Sequence, residues 1–447
     1  IESGESPAVR LEGLTIQNGV GQLESYGYTR GGGIRCIGSE LILRNSRVHS
    51  NSADKAGGVY LRDGSLVVED CSIDENTCGG GIEAISSSVV ISSSSLSGND
   101  ESECNFFNGA TGLLAFGCAV TVLDSRINDN CMTGTWNVGA GLDLNGCASE
   151  VYASEISGQG GFGCHGTGAA AVYVGGGRLV IEQTILDDNW NEYRGGAFCI
   201  SGSATHPARV KIFQCILTGN RSWDNYWGGG IYVETSNTNG VLEVVDSVLA
   251  NNESGGGGAA WIGGGTAWFE DCLVARNLTN AYAYEGGYGG GIWVHTGATV
   301  YMTGCRFEDN VSEGGGYYDD DESHWICGRG GGLYVHPGGT AVARDCTFIG
   351  NRSAEQTWSD LGIGGQGAAV FGPAFLANCT LYRNVSEPLG SAPGEGGGAQ
   401  GVLLNSCIVV ANVPDSIAGD TFSKWSLIQG GAGTDGNFDG DPLFYGP

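Results

Sequence analysis

Short runs of alternating apolar and polar residues, opened by glycine and closed by asparagine, recur along most of the chain. The segment from residue 329 to 351, RGGGLYVHPGGTAVARDCTFIGN, shows the unit, with three such runs between its glycines and its final asparagine. Alternation with a period of two predicts strands with one buried face. Four copies share one spacing of 18 positions from the last opening glycine to the asparagine: Gly33 to Asn51, Gly58 to Asn76, Gly81 to Asn99 and Gly112 to Asn130. This equal spacing indicates an internal repeat.

Two positions of the repeat keep the same kind of side chain from copy to copy. The closing asparagine, three residues after an apolar residue, occurs at Asn51, Asn76, Asn99, Asn130, Asn189, Asn220, Asn252, Asn310, Asn351 and Asn384. A small residue (Ser, Thr or Cys) stands five positions before it. Such columns predict that the copies stack in register. We expect each asparagine to adopt the left-handed backbone of a corner and to bond neighbouring amides.

The repeat predicts an all-β protein, a single-stranded right-handed parallel β-helix (solenoid) of about 14 turns with loop insertions along one edge. We expect residues 1–30 to form an N-terminal strand and partial turn, and residues 31–412 to form the repeats. Residues 413–447 are expected to form the last strand and a C-terminal cap. Most variation in length follows the asparagine, which places the inserted loops at one corner.

Composition narrows the possible partners and the compartment. The 447 residues include 82 glycines, and 49 acidic residues against 20 basic ones give a formal net charge of −29. Nucleic acid and anionic membrane surfaces are therefore poor partners. No apolar run is long enough to predict a transmembrane segment. The chain starts at Ile1 in a strand-like phase, so we expect an export signal upstream and an extracellular or cell-surface location.

The 16 cysteines fall into two groups. Seven lie in the column of small residues and are expected to stay buried thiols: Cys71, Cys215, Cys272, Cys305, Cys346, Cys379 and Cys407. Directly stacked side chains on parallel strands are poorly placed to form disulfides. The better disulfide candidates lie outside that column: Cys78, Cys104, Cys118, Cys131, Cys147 and Cys164. Their connectivity stays open.

The openings and closings of the repeat resemble those of a known family. Openings of the form Gly-Gly-Ile or Gly-Gly-Leu occur at residues 32–34, 80–82, 229–231, 290–292 and 331–333. Closings of the form Phe-x-x-Asn occur at 307–310 and 348–351. In these motifs, which cover most of residues 31–412, the chain resembles the passenger repeats of the polymorphic outer-membrane proteins, and more broadly secreted bacterial parallel β-helix proteins. The resemblance implies a surface-exposed β-helix with an adhesin-like role.

An aromatic residue recurs two positions after the last opening glycine, on the face that should point away from the core. The row comprises Tyr173, Phe198, Tyr232, Trp261, Trp293 and Tyr334. It can be a cross-strand ladder that stiffens the sheet beneath the loops. It can instead be a surface contact strip for sugar rings or for another copy of the protein. Glu234, His295 and His336 continue the row, but a histidine pair without a third ligand is a poor metal site.

Residues 435–440, DGNFDG, fit the first half of a calcium-binding loop. Asp435, Asn437 and Asp439 would supply alternating oxygen ligands, and Gly440 would make the sharp turn. The twelfth position of the loop is Gly446 rather than a bidentate glutamate. Two interpretations therefore stand side by side, a calcium site at these three residues and an ordinary end loop.

The sequence favours a non-catalytic structural protein outside the cell or on its surface. Such a protein would be a fibre or sheath subunit that self-associates through its ends or its aromatic row, or an adhesin stalk that contacts polysaccharide. The alternative is a carbohydrate-active enzyme, a polysaccharide lyase or hydrolase, because many share the fold. Such enzymes need paired carboxylates, or calcium and a basic residue. The outward acids, such as Asp143 and Glu234, are scattered, so no catalytic residue is predicted.

Overall fold

The chain divides into two compact units, Ile1–Arg221 and Ser222–Pro447. The computed structural model describes residues 1, 8–24, 27–100, 111–132, 139–161, 171–223, 227–235, 240–280, 287–319, 322–355, 364–388, 393–430 and 436–440. Each unit consists of turns of three or four strands, named here the first to fourth strand of a turn. Strands of one kind pair in parallel from turn to turn. Within the described ranges, no helix has the length and apolar character needed to cross a bilayer.

The strands of the first unit follow the repeat. Its first strands are Ile34–Ile37, Val59–Arg62, Ile82–Ile85, Leu113–Phe116 and Phe198–Gly202. In two turns the first and second strands are continuous, as Leu142–Tyr152 and Val172–Glu182. The separate second strands are Val9–Glu12, Glu40–Arg44, Ser65–Glu69, Ser88–Ser92, Ala119–Leu123 and Ala208–Phe213. The third strands are Thr15–Gln17, Arg47–His49, Ser72–Asp74, Ser95–Ser97, Arg126–Asn128, Glu155–Ser157, Ile185–Asp187 and Ile216–Thr218. The short fourth strands are Ser52–Ala53, Thr77–Cys78, Cys131–Met132, Gly160–Gly161, Trp190–Asn191 and Arg221–Ser222, and a small antiparallel pair joins Gln22–Leu23 to Thr29–Arg30.

The second unit repeats the same order. Its first strands are Ile231–Thr235, Ala260–Ile262, Ile292–Val294, Leu333–Val335, Val370–Phe371, Ala399–Gln400 and Ile417–Ala418. Its second strands are Val241–Val245, Thr266–Glu270, Thr299–Thr303, Thr340–Arg344, Ala374–Ala377, Leu403–Asn405 and Phe422–Lys424. Its third strands are Val248–Ala250, Leu273–Ala275, Arg306–Glu308, Thr347–Ile349, Thr380–Tyr382, Ile408–Val410 and Leu427–Ile428. Its fourth strands are Glu253–Ser254, Leu278–Asn280, Val311–Asp319, Arg352–Glu355 and Val385–Ser386, with Glu322–Ile326 antiparallel to Val311–Asp319.

Side chains of the same repeat position lie one above another in the core. Leu43, Val68 and Ile91 are in register on neighbouring second strands and are fully buried. The rings of Phe307 and Phe348 stack on neighbouring third strands with centroids 4.6 Å apart. Burying one such side chain stabilises the fold by about 1.5–3 kcal/mol, so repetition of this contact builds the core. The predicted all-β, parallel β-helix is confirmed.

The closing asparagines form a buried ladder of side-chain amides within each unit. Asn76 Nδ2 donates to the carbonyl of Val48 and to Oδ1 of Asn99, each at 3.0 Å. Its Oδ1 accepts from the backbone N–H of Asn51 at 3.2 Å and from Asn51 Nδ2 at 3.0 Å. Both donors and both lone pairs of the amide are thus used. The predicted bonding between asparagines of neighbouring turns is confirmed.

The left-handed backbone lies one residue before the asparagine, so that part of the prediction is wrong. Ser50, Glu75 and Asp309 have φ angles of 53°, 54° and 52°, and each directly precedes a ladder asparagine. The asparagine side chain must point into the solenoid to reach the amides above and below it. The chain therefore makes its left-handed turn at the preceding, solvent-facing residue.

The column of small residues forms a second polar ladder. Cys71 Sγ donates to the carbonyl of Glu69 at 3.1 Å and accepts from the backbone N–H of Ser46 at 3.4 Å. Ser46 Oγ makes the equivalent bonds with Arg44 and Leu14. At this position a cysteine thiol therefore makes the same pair of hydrogen bonds as a serine hydroxyl. All seven cysteines of this column are buried free thiols, as predicted, and burial raises the pKa of Cys215 to about 11.

The predicted disulfide candidates divide differently. Cys78 is disulfide-bonded, and its partner lies outside the described residues. Cys118, Cys131 and Cys147 are free thiols, so their proposed pairing is wrong. Cys118 and Cys147 instead form a similar ladder with Ser87 between the first and second strands: the Ser87 N–H donates to Cys118 Sγ at 3.4 Å, and the Cys118 N–H donates to Cys147 Sγ at 3.3 Å. The candidates Cys104 and Cys164 also lie outside the described residues.

Candidate functional site

The first strands carry one side chain each at the same position on the face away from the core, a set called here the outer row. In the first unit, strand register aligns Arg35, Tyr60, Glu83, Leu114, Asp143 and Tyr173. In the second unit it aligns Tyr232, Trp261, Trp293, Tyr334, Phe371 and Gln400. The outer row therefore contains five of the six aromatic residues predicted for the contact strip.

Phe198 is the exception, and its assignment to this row is wrong. It pairs in register with Val172, a core residue, and is fully buried. The neighbouring Cys199 pairs with Tyr173 and occupies the outer-row position. The turn that contains Phe198 opens with Gly195 at a φ of 62°, which lies three residues before the inward side chain. Counting from the last glycine therefore misplaced it by one residue.

The aromatic part of the outer row is covered rather than exposed. Tyr173, Tyr232, Trp261, Trp293 and Tyr334 are each at most 8% exposed. The prediction of a surface strip is thus wrong in its exposure, and the interpretation as a cross-strand ladder beneath neighbouring chain describes the geometry better.

Residues just before the opening glycines cover this row in the second unit. Trp227 stacks on Trp261 with centroids 5.2 Å apart, and Tyr288 stacks on Tyr334 at 4.5 Å. The Arg329 guanidinium lies 5.1 Å from the centroid of the Phe371 ring. Aromatic pairs and a desolvated cation–π contact each add about 0.5–2 kcal/mol beyond area burial. The aromatic side chains of the outer row therefore pack against residues of the same chain.

His295 and His336 lie beside the aromatic row and are half-exposed. Their rings stack with centroids 5.1 Å apart, and His336 Nδ1 lies 2.8 Å from Thr296 Oγ1. His295 also packs 5.6 Å from the Trp261 ring. The described ranges contain no group of three metal-ligating side chains. Through these ring contacts the two histidines extend the stack formed by the aromatic row.

Asp143 is the most unusual polar residue of the outer row. Its side chain is fully buried, its Oδ1 accepts a hydrogen bond from Asn145 Nδ2, and its Oδ2 is buried without a hydrogen-bond partner among the described residues. Burial raises the pKa of Asp143 to about 8, and the bond from Asn145 opposes the shift only in part. The carboxyl group is therefore mostly protonated at neutral pH and can donate a proton.

Glu83 lies two strands away in the same row, with Leu114 between it and Asp143. It is also buried, and burial raises its pKa while Lys55 and Arg30 lower it. Two strand steps separate the Cα atoms by about 10 Å. Asp143 is one of the scattered outward acids recognised from the sequence, whereas Glu83 is not among them. The sequence does contain a signal that the two acids share a row, because each lies one residue after an inward apolar residue of a first strand.

Two carboxyl groups with raised pKa values at one face are a recognised feature of acid and base catalysis. Inverting glycosidases hold their acid and base about 6.5–9.5 Å apart. The row continues from Glu83 to Tyr60, whose hydroxyl accepts from Arg30 Nη1 at 3.2 Å. Chemically, the first unit could thus offer a proton donor and a second acid along one row, provided that a substrate reached them.

The predicted calcium ligands are only partly described. Asp435 lies outside the described residues. Asn437 Oδ1 accepts from the backbone N–H of Ser426 at 3.0 Å, and its Nδ2 donates to the carbonyl of Ser423 at 2.9 Å. Asp439 Oδ1 accepts from the N–H of Gly430 at 2.9 Å. Both side chains therefore bond to the backbone of the last described turn, and calcium binding stays a prediction.

The pattern of turns agrees with a known family. A family model described as the right-handed β-helix region matches residues 1–147 and 229–418, which is more than half of the 447 residues. No curated protein matches the chain. The narrower likeness to the polymorphic outer-membrane repeats stays a prediction. The match and the stacked parallel strands lead to one conclusion: the chain belongs to the right-handed β-helix family.

Proposed function

We propose that this protein is a non-catalytic structural β-helix outside the cell or on its surface, either a fibre or sheath subunit or an adhesin stalk. The observation that carries the proposal is the amide ladder. In each unit, asparagines of successive turns bond to one another with all four hydrogen-bonding positions used, as Asn310 does with Asn277 and Asn351. Such a ladder holds the turns in one register and favours a stiff body.

Two further observations support this proposal. Cys78 is disulfide-bonded, and structural disulfides persist mainly in oxidising compartments. The net charge of −29 keeps the surface hydrated and opposes non-specific association. Polysaccharide remains the proposed ligand class for the adhesin form, and a second copy of the chain remains the proposed partner for the fibre form.

Negative-stain microscopy and sedimentation of the purified chain across a concentration series test this proposal. Ordered assemblies that grow with concentration support a fibre or sheath subunit. Isolated particles that bind immobilised cell-surface polysaccharide support an adhesin stalk. Isolated particles that bind none would contradict both forms, and so would release of sugar products from a polysaccharide by the protein itself.

The second candidate function is carbohydrate cleavage, and the buried acids of the first unit favour it. Asp143 would donate a proton to the leaving oxygen, and Glu83 would act as the second carboxyl group. The test is the release of reducing or unsaturated sugar ends from neutral and acidic polysaccharides. Activity that is lost in both Asp143→Asn and Glu83→Gln supports this function. Asp124→Asn, at an exposed acid of the same unit, is the matched control and should keep any such activity.

A further inference from the structure

A second row of outward side chains in the second unit is apolar and exposed. On neighbouring second strands, register aligns Trp268, Tyr301, Val342, Phe375, Leu403 and Phe422, a set called here the exposed stripe. Trp268 and Tyr301 are each 40% exposed, and Leu403 and Phe422 are 51% and 68% exposed. Six consecutive turns thus carry an apolar or aromatic side chain at this outward position; Val342 and Phe375, in the middle of the stripe, are half-buried, and the four others are exposed. Contiguous exposed apolar surface of this kind marks an interaction site.

The stripe ends in an open groove. Phe375, Leu403, Phe422 and Trp425 contribute to the lining of a groove of about 930 Å³. At the opposite end of the stripe the two largest rings project together, because Trp268 and Tyr301 stack with centroids 5.9 Å apart. One end of the stripe is therefore a ridge of rings and the other end is a hollow. If two copies of this surface pack face to face with the order of their turns reversed, the ridge of each copy meets the hollow of the other.

The charged residues beside the stripe are also complementary when the order of the turns is reversed. The outward positions two residues further along each second strand are, in order, Glu270, Thr303, Arg344, Ala377, Asn405 and Lys424. The acid stands beside the ridge and the lysine stands beside the hollow, and both are exposed. If two stripes pack face to face in opposite directions, Glu270 of each copy faces Lys424 of the other.

We propose that the exposed stripe is an isologous interface with a second copy of this chain. A two-fold axis parallel to the strands, between Val342 and Phe375, relates the two copies. Trp268 of one copy then enters the groove beside Phe422 of the other, and Tyr301 meets Leu403. A two-fold operator repeats each contact, as in most homodimers. The inference rests on the structural role proposed above, since it names the partner and the surface of self-association.

The size of the stripe sets the expected affinity. Six strands span about 29 Å, and three outward positions along a strand span about 13 Å. The flat area is roughly 400 Å² per copy, about half that of a standard stable interface. The pair should therefore be reversible, with a Kd of about 1–100 μM. Within a fibre or sheath, many such contacts would act together.

Sedimentation equilibrium of the full chain over that concentration range tests the interface. We expect the mass to rise from 46.1 kDa towards twice that value. Tyr301→Ser should weaken the association at least about tenfold because it removes an aromatic contact on each side of the axis. Ile216→Ser, at an equally exposed apolar side chain of the first unit, is the matched control and should leave the mass curve unchanged.

Charge reversal gives a sharper test that does not depend on apolar loss. Glu270→Lys places two lysines opposite each other and should weaken the pair roughly tenfold, because the contact occurs twice. Lys424→Glu should weaken it similarly, and the double reversal should restore it. If general repulsion between two acidic chains controlled the association, Glu270→Lys would instead strengthen it, because the substitution makes the net charge of each copy less negative. Circular dichroism melting confirms that each variant is folded.

Other outcomes overturn the inference and separate it from the proposed function. A monomer at every concentration that binds polysaccharide through Trp268, with binding lost in Trp268→Ser, would assign the stripe to sugar instead of a second copy. Ordered assemblies that form equally well in Tyr301→Ser and Glu270→Lys would exclude the stripe and leave the structural role intact. Sugar release by the wild-type chain would contradict the structural role without changing the sedimentation result.

Discussion

The amide ladder makes a quantitative prediction at Asn310. Its Oδ1 accepts from the backbone N–H and the Nδ2 of Asn277 at 3.1 and 2.9 Å. Its Nδ2 donates to the carbonyl of Val274 at 2.8 Å and to Asn351 Oδ1 at 2.9 Å. Asn310→Ala removes these four bonds from a fully buried site. At about 1 kcal/mol for each lost bond, the free energy of unfolding should fall by about 3–5 kcal/mol.

Urea unfolding of the full chain, followed by circular dichroism, measures this loss. Hydrogen exchange at the backbone amide of residue 277 reports the same change locally, because that amide loses its acceptor. Asn405→Ala is the matched control, since Asn405 lies outside the ladder on a second strand and is half-buried. It should change the free energy of unfolding by at most about 0.5 kcal/mol.

Asn310→Asp separates hydrogen bonding from packing. The new carboxylate keeps the acceptor for Asn277 but turns an oxygen towards the oxygens of Val274 and Asn351. It should therefore destabilise more than alanine at neutral pH, and protonation of the new carboxyl in acid should relieve part of the loss. Equal losses for Asn310→Ala and Asn405→Ala would refute the ladder as a stabilising element.

Three further predictions follow from other parts of the chain. The pKa of Asp143 is raised to about 8 on folding, so the folded state binds the extra proton and wild-type stability should fall between about pH 4 and pH 8; Asp143→Asn should flatten this part of the pH–stability curve. Trp293→Ala should lower the free energy of unfolding by about 3–5 kcal/mol because the ring is buried among Trp261 and Tyr334, as urea unfolding can measure. If residues 435–440 bind calcium, the ion should raise the melting temperature of the wild type and have less effect on Asp439→Asn; no shift in the wild type would reject the site.

The agreement between sequence and structure differs from position to position. The asparagines bond from turn to turn as expected because a fixed repeat spacing brings equivalent side chains together in any in-register stack. Counting from the last glycine places Phe198 wrongly because Ala197 stands where the turns of Tyr232, Trp293 and Tyr334 have that glycine, so the count starts one residue too early. The prediction that the asparagine has the left-handed backbone is wrong. Its side chain must point inward to reach the ladder, so the preceding residue makes the left-handed turn.

The candidate sites could not be predicted from the repeat alone, because they depend on which strands pair and on which residues cover them. Glu83 and Asp143 are 60 positions apart, and only the pairing of first strands shows that they share a row with Leu114 between them. The outward position of the first strands was recognised from sequence, but its exposure was not. Trp227, Tyr288 and Arg329 cover it, and they belong to corners whose length varies from turn to turn.

By itself, the sequence determined the all-β class, the parallel stacking of the turns and the burial of the column thiols. These features follow from a period of two within strands and a constant spacing between turns, which act locally in every copy. Tertiary structure alone decided which outward row is covered and which is exposed. That outcome depends on where the corner residues fold back. They lie over the first strands of the second unit, whereas Trp268, Tyr301, Leu403 and Phe422 on the second strands stay open to solvent.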